Sequence, residues 1–94
     1  MPNNETIYLS GELLFSTVNA IQPQFFGEIK QASSEIVYVD MTDVSKTDSA
    51  GLALMLEGIK FANNLGRQLS YKAISKSLAK LAKFNGLNEI LSLT

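Results

Sequence analysis

The chain contains neither cysteine nor histidine. That double absence removes disulfides, thiol catalysis, serine-histidine nucleophiles and the usual zinc ligand sets together. A serine nucleophile would have to take a lysine or a carboxylate as its base, and no recognisable motif places one. P-loop, GxGxxG and GxSxG patterns are missing as well, so neither catalysis nor a bound cofactor is expected. Long apolar runs are also absent, and nothing approaches the roughly 20 residues of a membrane span. The start, MPNNETIYLSG, lacks the basic-then-apolar order of a signal peptide. The expected location is the cytoplasm.

There is no excess of positive charge. A net charge of −1 and a pI of about 5.3 speak against a nucleic-acid binder, whose affinity rests on accumulated lysine and arginine. The small net value hides an asymmetry. Residues 1–57 carry eight acidic and two basic side chains, and residues 58–94 carry six basic and one acidic. Opposite charges facing each other across a folded surface are the expected use of that split. With 94 residues, 46% of them hydrophobic, the chain suits a single domain, residues 1–94, built on one core. The polar start, Pro2 to Glu5, is the one candidate for disorder.

TIYLSGELLFSTV reads as two short strands hinged near Ser10-Gly11, with Ile7, Leu9, Leu13 and Phe15 alternating in a hairpin-like opening. Val18, Ile21, Phe25 and Ile29 then step at helical spacing, which predicts a helix from about Ala20 to Gln31, with Pro23 near its first turn. EIVYVDM is a continuous β-branched and aromatic run that suits a strand buried on both faces. A loop of about nine residues leads to a second helix from about Ala50 to Leu65, closed by Gly66. QLSYKAI gives another strand, and Ser75 caps a third helix that runs to about Asn85 before Gly86. The tail LNEILSLT is too short to assign. This order predicts an α/β fold with a mixed, partly parallel sheet of about four strands covered by helices.

All three aspartates, Asp40, Asp43 and Asp48, fall within nine positions immediately before the apolar second helix. The segment from Asp40 to Gly51 leaves the C-terminal end of a central strand, where open α/β sheets place their working surfaces. Asp48 can cap the helix and meet its positive dipole end, and Ser49 could serve instead. Purely structural roles suffice for each residue singly: a cap, a turn at Asp43, and close helix approach at Gly51. For the set they suffice less well, because a plain crossover needs fewer polar residues. The aspartates lack the spacing of a calcium loop, so no metal is expected.

Two helical faces stand out. The second helix is apolar over too wide an arc. Leu52, Met55, Leu56, Ile59 and Ala62 form one stripe, and Leu54, Gly58, Phe61 and Leu65 form another. The second stripe is expected to wedge against neighbouring helices, with Leu54 and Gly58 the candidates for exposure to a partner. On the third helix, Lys76, Lys80 and Lys83 line the side opposite Leu78, Leu81 and Ala82, as a solvated face or a weak attraction to anionic lipid headgroups.

IVYVDMTDVSKTDSAGLALMLEGIKFANNLGRQLSYKAISKSLAKLAKFNGL, with LSGEL at residues 9–13, resembles the STAS domain, the family of anti-sigma-factor antagonists and sulfate-transporter tails. The GLALML helix followed by LAKLAKFNGL is most similar to the small STAS subunits of phospholipid-transport ABC systems, which serve outer-membrane lipid asymmetry. That likeness implies a non-catalytic surface of Thr47, Asp48, Ser49, Ala50, Gly51 and Leu54 that binds the transporter's cytoplasmic ATPase subunit. It also implies a location peripheral to the inner membrane through that partner. In antagonist members the Ser or Thr after the loop aspartate is phosphorylated by a partner kinase. Here that position is Ser49, and an anti-sigma kinase is the alternative partner. Phosphorylation would add about −1.5 to −2 charge beside Asp48, enough to break a packed interface. Phosphorylatable antagonists typically carry an aspartate directly after GEL, where this chain has Leu14.

Overall fold

The computed structural model describes residues 5–87 and Leu91. The chain order is β1 (Glu5–Leu13), α1 (Val18–Gln31), β2 (Ile36–Thr47), α2 (Ser49–Asn64), β3 (Gln68–Lys72) and α3 (Lys76–Phe84). The start up to Asn4 and the tail apart from Leu87 and Leu91 lie outside the described residues. The architecture is α/β, as the alternation of patterns predicts, with parallel strands in the order β1-β2-β3.

The sheet has three strands among the described residues, where about four are expected, because the opening segment is one strand and not a hairpin. Gly11 adopts φ +79°, and that freedom is spent on an irregularity inside β1 instead of a chain reversal. The expected nine-residue loop is likewise mostly strand. Tyr8 faces Asp40 but Ser10 faces Asp43, and Gly11 faces Val44 but Glu12 faces Lys46, so β2 absorbs an extra residue at two points. Asp40 supports the first of these, its carboxylate accepting the Thr42 amide at 2.8 Å. A polar stretch that looks like a loop therefore stays in the sheet as bulged strand, reaching Thr47.

Crossovers between neighbouring parallel strands that advance in one direction put α1 and α2 on the same face of the sheet. That face carries Ile7, Leu9, Val37, Val39, Leu69 and Tyr71, all buried, against Phe25, Ile29, Met55 and Leu52 of the helices. The other face is the more exposed one among the described residues. Tyr8 on it is 69% exposed, and Tyr38, opposite Thr6 in the register, lies under the ammonium of Lys72 at 4.7 Å. β2 is thus buried on one face only, contrary to the reading of its continuous apolar run, because Ile36, Tyr38 and Asp40 alternate outward.

The wide apolar arc of α2 has a packing explanation. One stripe meets the sheet and the other meets α1, where Phe61 stacks on Phe26 at 4.6 Å between ring centroids. Gly58 is buried at that contact. A Cβ there would sit 2.8 Å from the Tyr71 hydroxyl and 3.1 Å from the Phe25 ring. The Tyr71 hydroxyl in turn donates to the Met55 carbonyl at 2.8 Å, so a buried polar group is satisfied by the helix that covers it. Leu54 is also buried, at 6% exposure, so neither it nor Gly58 is the exposed exception the stripe pattern suggests. α2 ends at Asn64, with Leu65 as its C-cap and Gly66 at φ +75°; the Arg67 amide donates to the Ala62 carbonyl and the Gly66 amide to that of Asn63.

At this same end of the sheet, where the strands begin, Glu5 pins the α1-β2 connection. Its Oε1 accepts the amides of Ser33 and Ser34, at 2.6 and 2.8 Å, and both their hydroxyls. α3 is capped by Ser75, whose hydroxyl accepts the Leu78 amide at 3.2 Å. It buries Leu78 and Ala82 beside α2.

Candidate docking surface

The C-terminal ends of β1 and β2 converge where α2 begins. Asp48 is the N-cap, with extended backbone (φ −119°, ψ −167°). Its Oδ1 accepts the amides of Ala50 and Gly51 at 2.9 and 3.2 Å, filling two of the helix's orphan donors. Its Oδ2 accepts the Phe15 amide at 3.0 Å, which ties the β1-α1 turn to the helix start. Led by the bond from Phe15, these donors hold the Asp48 carboxyl below its ordinary value. Asp48 and not Ser49 is the cap. Ser49 is the first helical residue and is exposed.

Gly51 is required by close approach. A Cβ on it would lie 2.4 Å from the Leu13 carbonyl oxygen and 2.6 Å from the Thr47 methyl carbon. The Asp48 amide donates to that same carbonyl at 3.3 Å, so β1, the end of β2 and the first turn of α2 meet at Leu13. Thr47, Asp48, Ser49, Ala50 and Gly51 are therefore brought together, with Gly51 buried beneath Ser49 and Ala50. Asp40 and Asp43 stand apart, upstream in β2; among the described residues no group of three or more carboxylates could hold a metal ion.

Beside Ser49 runs an open groove of about 420 Å³ between Phe15, Val18 and Gln22 on one side and Ala50, Ala53 and Leu54 on the other. Leu54 forms part of its floor. Phe15 stands at its edge, 81% exposed. The alternating pattern places Phe15 in a strand, inward with Leu13; the structure ends β1 at Leu13 and puts Phe15 in the turn. There Thr17 folds the chain back, its Oγ1 accepting the Leu14 amide at 2.9 Å and donating to the Glu12 carbonyl at 2.6 Å. The signal for this was present in the sequence: a Ser-Thr pair after an apolar run favours a side-chain-closed turn. Leu14, where phosphorylatable antagonists carry aspartate, is in this turn, one residue from the amide that Asp48 holds.

The structure thus joins a parallel α/β sheet to a capped helix start beside an exposed serine, and a sequence profile of the STAS domain matches residues 2–94. The chain belongs to the STAS domain family. It is similar to MlaB of Escherichia coli (strain K12), an intermembrane phospholipid transport system binding protein. The two are 30% identical over 87 residues, covering 93% of this chain and 86% of that protein. It is also similar to the anti-sigma-B factor antagonist of Staphylococcus aureus (strain NCTC 8325 / PS 47). There the identity is 26% over 85 residues, covering 90% of this chain and 78% of the relative. Among solved structures, the anti-sigma factor antagonist SpoIIAA in its unphosphorylated form superposes with a TM-score of 0.70 at 25% identity, over 95% of this chain and 79% of that one. The STAS domain of a SulP transporter from Vibrio cholerae gives 0.72 at 17% identity, over 97% of this chain and 70% of that one, and speaks for the fold alone.

Proposed function

We propose that this protein is a non-catalytic docking subunit that binds the cytoplasmic ATPase of a phospholipid-transport ABC system through Thr47, Asp48, Ser49, Ala50, Gly51 and Leu54, and supports its assembly or activity. The observation that carries this reading is exposed Phe15 standing across an open groove from Ala50, Ala53 and Leu54, at the helix start that exposes Ser49. An aromatic side chain held outward by a turn, next to a rigid capped helix start, offers the kind of anchor on which protein interfaces concentrate their energy. The likeness to MlaB supports the transport setting. Among the described residues no helix is long and apolar enough to cross a membrane, and the proposed partner would place the chain at the inner membrane peripherally. Co-purification with the ATPase, and its rate of ATP hydrolysis, test the reading. Because Leu54 is buried, the contrast is best made at exposed positions: Ser49→Arg and Ala53→Asp should each abolish co-purification while the far-ultraviolet circular dichroism is unchanged. Retained binding by both folded variants would overturn it.

A second reading has its own support. SpoIIAA resembles this chain in both its unphosphorylated and phosphorylated forms, the latter with a TM-score of 0.65. Ser49 in that reading is a phosphorylation site that releases an anti-sigma kinase. A phosphoryl group there would meet the first amides of α2 but also the Asp48 carboxylate. Intact mass after incubation with candidate kinases and ATP decides it, and no mass gain on Ser49 with any of them would exclude it.

A further inference from the structure

The C-terminal part of the chain holds most of its basic residues, and α3 displays three of them without using them. Lys76, Lys80 and Lys83 are exposed, and no described carboxylate pairs with any of them: the ion pair the structure shows is Lys46 with Glu12. α3 itself, KSLAKLAKF, contains no acidic residue. Its last residue, Phe84, is 92% exposed, the most exposed large apolar side chain of the described residues. At about 100° per residue, the lysines fall within an arc of about 60°, and Phe84 lies about 40° beyond it on the same outward side. Leu78 and Ala82 occupy the opposite side and are buried.

We propose that this face of α3 is a peripheral contact for an anionic lipid bilayer, with the lysines drawn to headgroup phosphates and Phe84 entering the interfacial layer. Three observations favour a bilayer over an acidic protein. The cations are lysines, flexible point charges that need no fixed partner geometry. Among the described residues, the grooves beside β1, at the docking surface and beneath β3 are lined by no residue of α3, and its lysine face is convex helix surface. A fluid surface needs no recess. A lone exposed aromatic beside cations is also the pairing that membrane interfaces accept, apolar ring below and charge above. The contact is weak by construction, because the apolar side of α3 is spent on the protein's own core. Each lysine near an anionic surface contributes about a fivefold gain in partitioning. Such a contact complements docking to a membrane-bound partner and is separate from it, since no α3 residue lines the groove beside Ser49.

The chain contains no tryptophan, so Phe84→Trp places a single fluorescent reporter at the contact. The experiment uses this full chain with vesicles of phosphatidylcholine alone and of phosphatidylcholine and phosphatidylglycerol in equal parts. The expected result is a blue shift of the tryptophan emission and co-sedimentation with the anionic vesicles only, both weakening as salt rises. Lys80→Glu combined with Lys83→Glu should lower binding at least about 25-fold, from two lysines at fivefold each. Phe84→Ser, read by co-sedimentation, should lower it further at constant charge. Phe15→Ala, which alters the docking surface at constant charge, should leave it unchanged, which keeps this result distinct from the fate of the docking surface. Equal binding to both vesicle types, no blue shift, or vesicle binding unaffected by lysine reversal in a chain of normal circular dichroism would overturn the proposal. Lysine-dependent self-association in light scattering with vesicles left unbound would assign the face to an acidic protein surface instead, and would equally overturn it.

Discussion

Asp48 accepts the main-chain amide of Phe15 across 33 residues of sequence, at 3.0 Å, with the carboxylate oxygen that the helix cap leaves free. One side chain therefore sets both borders of the candidate docking surface. Its Oδ1 fixes the first turn of α2 below Ser49, and its Oδ2 fixes the turn that presents Phe15.

Asp48→Asn and Asp48→Ala should differ in an informative way. Asparagine keeps an oxygen for the Ala50 and Gly51 amides but offers an NH₂ group where Phe15 donates, so it should lose the tether and keep the cap. Alanine loses both. The expected order of urea midpoints is wild type, then Asn, then Ala, and the protection of the Phe15 amide from hydrogen exchange should fall in both variants. Equal midpoints for Asn and wild type, with Phe15 still protected, would show that the tether does not hold.

Gly58 and Tyr71 should be coupled. Gly58→Ala pushes a methyl group to within 2.8 Å of the Tyr71 hydroxyl, an overpacking expected to cost about 1–3 kcal/mol. Tyr71→Phe removes the hydroxyl and its bond to Met55, at about 1 kcal/mol. In the double variant the two costs should sum to less than the separate values, by about 1 kcal/mol. Additive costs in a denaturant-melt cycle would mean that the Phe25 ring, not the hydroxyl, is the obstacle.

Acid should destabilise the fold from a defined side. Glu5 is held below its ordinary 4.5 chiefly by the Ser33 amide and the Ser34 hydroxyl. Asp40 is held below its ordinary 3.8 by the Thr42 hydroxyl and amide, and Asp48 below the same value by the Phe15 amide. Each folded value lies under the unfolded one, so the unfolded chain binds more protons in between and stability rises with pH across that window. The contribution is complete above the ordinary carboxylate values and disappears as pH falls through the lowered ones. With no histidine, no step is expected near 6.5. Urea midpoints should be level from about pH 6 to 8 and drop steeply below about pH 4, and Glu5→Gln should flatten the drop. A midpoint at about pH 3 equal to that at about pH 7 would refute the assignment.

Phe15→Ala separates docking from folding. At 81% exposure its removal should leave stability within about 0.5 kcal/mol. If Phe15 anchors the partner, affinity for the ATPase should fall about 30-fold, the scale of a 2 kcal/mol interface residue. Calorimetric titration against the purified ATPase measures it, and an unchanged affinity removes Phe15 from the interface.

Much of this was readable in the residues. The steps of Val18, Ile21, Phe25 and Ile29, the run of α2 to Gly66 and the cap at Ser75 mark their helices within two residues, because 3.6-residue periodicity and capping are local. A helix start at Asp48 or Ser49 was equally legible, and the structure chose Asp48 as the cap. Gly11 was not, since one positive-φ glycine serves a hairpin turn or an irregular strand alike, and only pairing with β2 chooses. Asp40, Thr42 and Asp43 read as loop because polar bulged strand has no local signature.

The sequence alone settled the alternation of strands and helices, the excess of apolar surface on α2, and the convergence of Asp48, Ser49 and Gly51 at one helix start, because each follows from neighbours along the chain. Tertiary structure decided what those features face. It gave Gly58 to Phe25 and Tyr71, Gly51 to the Leu13 carbonyl, and the second oxygen of Asp48 to Phe15. It turned Phe15 and Phe84 outward while their fellow aromatics Phe25 and Phe26 went to the core or packed against it. Burial is a property of what packs on a residue from elsewhere in the chain, and periodicity carries no record of that.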